Sequence, residues 1–313
     1  MGRSFQYFSK MLALPLRDIA LILVVTLCWA FNLVVIKFTI QSISPLTLGA
    51  IRFLFVAFPL IFFIKRPKVA FNKLLLMGLI LGVAKFSLLF PGIQKGISVG
   101  MCALTLQTQV IFTAIISCIF FGTRLSKREI FGIFLALCGV AMLGIQAISV
   151  STTTGFVLVL LSALSWGISN NISRTFKGVN ILQLTVWMSL IPPIPYFLLS
   201  QILEGPNVFF ESLHNFGLME ILATAYIIIA ATLFGLTGWT WLMRQHNPAK
   251  VSIYGLLIPV FSLFFGWLCL GEHLSNLDIL ACTVVFLGLV INQWPRSIHA
   301  QKKSIEENVQ KVA

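Results

Sequence analysis

Acid is what this sequence has least of. Asp and Glu number 9 in 313 residues against 22 Lys and Arg, and charged residues make up only 10% of the chain. A soluble domain carries roughly 25% charged residues, so a water-exposed globular surface is excluded. No Asp or Glu falls deep in an apolar run, for Asp18, Glu129, Glu220 and Asp278 all sit at or near run ends. That disfavours a proton-driven exporter of cationic drugs, because a membrane carboxylate ordinarily holds the cation or the proton. The 4 His lie outside the runs, and none of the 6 Cys forms a C-x-x-C. Cys28, Cys102, Cys118, Cys138, Cys269 and Cys282 are expected to be small packing residues, with no disulfide, metal or cofactor. A membrane-embedded enzyme would need a nucleophile with a base, a metal cluster or paired carboxylates. The chain has no H-E-x-x-H and no pair of acids in its runs, and no nucleophile motif is expected.

Apolar residues fill the space that charge leaves, at 58% of the chain. Runs of about 18 or more apolar residues read as membrane spans. Ten are predicted, near 18–40, 46–64, 74–93, 98–121, 129–148, 155–173, 181–203, 218–242, 250–270 and 275–293. With the amino terminus inside, every Lys and Arg falls on the inner side except Lys37, Arg52, Lys85 and Lys95. This is the positive-inside pattern, and it puts both termini in the cytoplasm, with residues 294–313 as a basic tail. The net charge of +13 is therefore topology, and no nucleic-acid partner is expected. The first run lacks a small-residue cleavage site and carries Lys37, so it reads as an uncleaved span.

The chain repeats itself. WAFNLVVIK from Trp29 returns as WGISNNISR from Trp166, a shift of 137. GTRLSKREI from Gly122 returns as GEHLSNLDI from Gly271, a shift of 149, with Glu129 meeting Asp278. The longer loop between the seventh and eighth runs accounts for the difference. Spans one to five, residues 18–148, thus repeat as spans six to ten, residues 155–293. Five is odd, so the halves are oppositely oriented, the plan of many secondary transporters with a midplane site between the halves. The expected fold is all-α and integral to the membrane: ten transmembrane helices as two inverted five-helix repeats.

The CWAFNLVVIKF of the first span, the LGAIRFLFVAFPLIFFIKRPK of the second with its basic loop, and the GEHL turn before the last resemble the EamA branch of the drug/metabolite transporter superfamily. The Arg52–Phe53 pair, the LQTQ from Leu106 to Gln109 and the IPPIP of the seventh span are similar to exporters of O-acetylserine and cysteine within that branch. The resemblance covers about Arg17 to Trp294. It implies alternating access and export of amino-acid-like metabolites across a bacterial inner membrane. The first-half turn departs from the pattern, with Thr123 where Glu272 stands in the second half.

Ionisable groups within spans are costly and functional by default. Arg52 and Lys85 lie within the second and third spans, and positive groups without deep acids suit a carboxylate-bearing, small zwitterionic substrate. Lys85 snorkels or faces a cavity, and its central position favours the cavity. Arg52 binds substrate or bridges helices. Lys37 and Arg174 read as interfacial anchors. Trp29 and Asn32 share a helix face, as do Trp166 and Asn170, and Thr105 and Gln109. The candidate cavity set is Trp29, Asn32, Arg52, Lys85, Gln109, Trp166, Asn170 and Tyr254, set against simple interhelical hydrogen bonding. Gln107 is expected to pack elsewhere, and Pro192 and Pro195 bracket a candidate hinge. A transporter of another metabolite, a sugar or a hydrophobic drug is the competing reading.

Overall fold

The structure, a computed structural model, describes residues 15–122, 125–149, 152–176, 178–246, 251, 254–273 and 275–293. The departing pair Thr123 and Arg124, Lys177, Lys250 and the basic tail lie outside the described residues. Among the described residues there is helix and turn and no strand. In chain order the helical segments are α1 (Leu16–Thr39), α2 (Pro45–Phe62), α3 (Phe71–Gln94), α4 (Val99–Phe121) and α5 (Lys127–Ser149). They continue as α6 (Thr153–Ser173), α7 (Ile181–Met188 with Pro193–Leu203), α8 (Leu218–Gln245), α9 (Leu257–Leu270) and α10 (Asn276–Gln293). Helix thus lies on every predicted run. Among the described residues, six segments are long and apolar enough to cross a membrane by themselves, and α7 is a seventh if its two pieces form one span. Within the run expected at 250–270, α9 covers the last 14 residues.

Local chemistry sets the helix starts. Ser44 caps α2 by accepting the Thr47 N–H, with Pro45 as the first helical residue, and Asn180 caps α7 by accepting the Leu182 N–H at 2.9 Å. Each places a side-chain acceptor where helical N–H groups have no partner, and the proline supplies a pre-set φ. Breaks inside the segments follow proline and hydroxyl residues. α2 interrupts at the cis Phe58–Pro59 bond. α7 bends by 40° between Met188 and Pro193, ahead of the stretch that Pro192 and Pro195 were expected to bracket, and Pro195 lies inside the second piece. α4 breaks at Thr108, whose hydroxyl donates to Thr105 O at 2.6 Å. That break overturns the expectation that Thr105 and Gln109 share one continuous helix face.

The two halves carry the same irregularities in the same register. α3 holds a π-helical stretch at Gly78–Ala84, and α8 holds one at Ile227–Phe234. Their first residues are related by the shift of 149 that relates Gly122 to Gly271. Those two glycines end α4 and α9 in the left-handed conformation, both at φ 63°, which costs a glycine little and other residues more.

Packing follows the same exchange. α1 packs on α8 and α9, and its counterpart α6 packs on α3 and α4. α2 packs on α8 as α7 packs on α3, while α2 with α7, α4 with α9, and α5 with α10 pair across the halves. One apolar core, running from Leu33 and Ile36 through Phe86 and Phe90 to Tyr196, Ile227 and Val285, joins residues of both. Neither half closes its own core.

Candidate functional site

The site is built where α2 and α3 of the first half meet α6, α7 and α8 of the second. Arg52 and Lys85 are both buried there, at 6% and 8% exposure. The Arg52 guanidinium lies 4.1 Å from the Phe86 ring centroid and 5.5 Å from that of Phe53. The Lys85 ammonium lies 3.6 Å from the Trp166 ring centroid and 4.6 Å from that of Phe86. Ring faces carry the negative end of a quadrupole, so each cation is held by aromatic faces rather than by an acid.

Hydrogen bonding leaves both cations incomplete. Arg52 Nη2 donates to Thr232 Oγ1 at 3.0 Å, while its Nε and Nη1 are buried without a partner. Lys85 Nζ makes no hydrogen bond among the described residues. Buried polar groups nearly always have partners, so vacant donors at two adjacent cations call for an explanation. An anion placed between the halves supplies one, through charge-assisted bonds.

The π-helical stretches hold the site together. A π turn displaces the i→i−4 ladder and frees carbonyls for other donors. Tyr196 Oη donates to Gly82 O at 2.9 Å, and Trp29 Nε1 donates to Ala231 O at 2.8 Å. Gly82 and Ala231 are 149 apart, so each half offers the same carbonyl to an aromatic donor. Thr232 Oγ1 donates to Ile227 O at 2.7 Å, which turns its lone pairs toward Arg52. Gly82 has a steric role too: a Cβ there would strike the Pro192 ring, so the bent part of α7 seats directly on the π stretch of α3.

The predicted site residues divide. Arg52, Lys85 and Trp166 come together at the centre. Trp29 sits on the α1–α8 contact, bonded to Ala231 and 5.4 Å from the Trp239 ring. Asn32 has a buried Oδ1 without a partner. Gln109 and Asn170 satisfy each other, Asn170 Nδ2 donating to Gln109 Oε1 at 2.5 Å and to Thr113 Oγ1 at 3.1 Å. They belong to a ladder in which Asn171 bonds Thr113 O and Arg174 bonds Ser117 Oγ. Tyr254 packs in a separate cluster with Ile22, Leu242 and Val251. Gln107 packs away from the site and donates to Gly255 O at 3.4 Å.

Lys37 does more than anchor. Its ammonium pairs with Glu272 at 2.6 Å, and the same carboxylate accepts the Val99 N–H at 2.8 Å. This joins the end of α1, the start of α4 and the α9–α10 turn. At the opposite end of α1, Asp18 meets His246 at the end of α8, 2.7 Å apart.

Thr232 and Tyr196 escaped the sequence reading. The signals were a lone hydroxyl in the apolar run AATLF and a tyrosine directly after IPPIP. Thr113 and Ser117 were legible as polar steps of four after Gln109, facing Asn170 and Arg174. The run GISVG from Gly96 to Gly100 has the G-x-S-x-G spacing of hydrolase nucleophiles, against the expectation that the chain holds no such motif. Its serine is a helix cap: Ser98 Oγ accepts the Met101 N–H at 3.1 Å. No disulfide joins the described cysteines, and no cluster of metal-ligating residues occurs among the described residues.

Two related helical halves, apolar outside and meeting over a buried polar centre, define an all-helical, multi-pass membrane protein. A model of the EamA-like transporter family matches residues 16–145 and again residues 153–293. The chain belongs to that family. A probable amino-acid metabolite efflux pump of Escherichia coli (strain K12) is 35% identical over 292 residues, covering 90% of this chain and 98% of the relative. A protein of the same description from Salmonella typhimurium is 35% identical over 285 residues, covering 88% and 94%. A crystal structure at 16% identity shares the fold with a TM-score of 0.60, covering 88% of this chain and 96% of its own.

Proposed function

We propose that this protein exports small amino-acid metabolites, O-acetylserine and cysteine among them, across a bacterial inner membrane. The observation that carries the reading is the pair Arg52 and Lys85, buried at the junction of the halves with donors unused. The description of the two bacterial relatives as amino-acid metabolite efflux pumps supports it. In this reading ten spans form two inverted units, residues 18–148 and 155–293, with both termini and the basic tail cytoplasmic. Substrate enters from the cytoplasm, and its carboxylate meets the paired cations. Rocking of one half against the other then exposes it outside. Arg52 and Lys85 belong to the first half, while Thr232 and Trp166, which hold them, belong to the second. Relative motion of the halves therefore remodels the carboxylate's surroundings directly. The bend of α7 over Gly82 is the hinge, and the Lys37–Glu272 pair clasps the outer end.

The test is uptake of labelled cysteine and O-acetylserine by proteoliposomes holding the purified protein, with Arg52→Met beside wild type. Loss of one charged hydrogen bond costs about 1.5–3 kcal/mol, so the apparent KM of the variant should rise roughly ten- to a hundredfold. No movement of either compound by wild type would refute the substrate class and leave the family assignment standing.

A further inference from the structure

The two cations sit on one ring. Arg52 Cζ is 4.1 Å and Lys85 Nζ 4.6 Å from the Phe86 centroid, so they lie no more than about 9 Å apart. Like charges held that close in a low-dielectric interior repel each other. Among the acids whose side chains are described, none offsets them, for each lies elsewhere. Asp18 faces His246, Glu272 faces Lys37, and Glu204 accepts from Ser200 and from the Leu46 N–H. Glu129 accepts the Ser126 N–H and Glu220 the Gly217 N–H, while Glu211 lies on the short helix Val208–His214.

A zwitterion would bring one negative charge to two positive ones and would add an ammonium. That ammonium needs an acceptor. The carbonyls in the π-helical stretches that accept from side chains each already hold a donor, Gly82 and Val83 from Tyr196, Ala231 from Trp29 and Ile227 from Thr232, and none carries a full negative charge to set against an ammonium. The nearby rings of Phe86 and Trp166 already face Lys85.

Resting on the carboxylate reading of this site, we propose that its preferred substrates are dicarboxylic amino-acid metabolites whose amino group is acylated. Arg52 takes the carboxylate common to all amino-acid metabolites, through Nε and Nη1. Lys85 takes the second, leaving the Trp166 face to do so. A spacer of two or three carbons keeps the two carboxylates within the upper bound of about 9 Å on the separation of the cations. The acyl group removes a third positive charge, one that no acid described at the site offsets. Lys85 is then the residue that determines specificity.

The test is direct uptake of labelled N-acetylaspartate, aspartate and O-acetylserine by proteoliposomes holding wild type, Lys85→Met or Lys85→Arg. Wild type is expected to show a KM for N-acetylaspartate at least tenfold below that for O-acetylserine, with aspartate between. Lys85→Met should narrow that ratio to about twofold, and Lys85→Arg should preserve most of it. A ratio unchanged in Lys85→Met would overturn the role given to Lys85. If wild type takes up O-acetylserine as well as or better than N-acetylaspartate, this inference fails and the exporter reading survives. That comparison needs no variant, so it decides even if Lys85→Met does not fold. If wild type moves cysteine but none of the three, this inference alone fails; if it moves none of the four, the proposed substrate class falls and this inference with it.

Discussion

Replacing Glu272 by glutamine removes the charge from a junction of three elements while keeping an acceptor oxygen for the Val99 N–H. In the native protein the Lys37 ammonium sits 2.6 Å from the carboxylate, with the two side chains 22% and 13% exposed. At an effective dielectric near 20, unit charges about 4 Å apart attract by roughly 4 kcal/mol. Desolvation, side-chain ordering and screening remove most of that, and fully exposed pairs retain only about 0.2–1 kcal/mol. A pair this sheltered should keep about 1–2 kcal/mol. As the proposed clasp, the pair would form only while this end of the bundle is closed, so the variant should raise the open population roughly five- to thirtyfold. Lys37→Met should do the same, and the double variant should do little more than either alone, since both remove one interaction. Spin labels at Gln41 and His273, both exposed, report the opening as a second, longer distance population. Distance distributions that stay identical in wild type and Glu272→Gln would refute the clasp and leave the pair a local contact.

Thr232→Val keeps the shape of a buried side chain and deletes the oxygen that Arg52 bonds. The apparent KM for a carboxylate substrate should rise about three- to tenfold, from part of the roughly 1.5–3 kcal/mol of a charged hydrogen bond, and Thr232→Ser should restore it. The Gln109–Asn170 contact tests the opposite case. Asn170→Ala strands the Gln109 amide and should cost about 1–2 kcal/mol of stability, read as a lower melting temperature in detergent. Pairing it with Gln109→Leu should recover most of that loss. A double variant that melts like wild type but no longer transports would put this pair in the substrate site instead.

Much of the architecture was legible because a bilayer enforces it. Backbone polar groups in lipid must be satisfied within the chain, so long apolar runs become helices, and helix occupies each predicted run. The repeat was legible in the Trp29 and Trp166 segments and in the Gly122 and Gly271 turns, because related halves need the same residues at the same bends. Arg52 and Lys85 stood out because charge within a span is expensive enough to imply a use. The breaks were less legible. Thr108 interrupts α4 by a side-chain bond to its own backbone, a choice that depends on what surrounds it.

By itself, then, the sequence determined the helices, the duplication and the presence of two buried cations, since hydrophobicity, periodicity and charge act locally along the chain. Tertiary structure decided what those residues do. Side-chain amides at helical spacing look alike whether they meet a ligand or each other, and only packing joined Gln109 to Asn170 and sent Tyr254 to a separate cluster. Only packing brought Thr232 to Arg52, 180 residues away in sequence, and Trp166 beneath Lys85. Those contacts cross between the halves, and no local pattern encodes a partner that arrives from the other half of the chain.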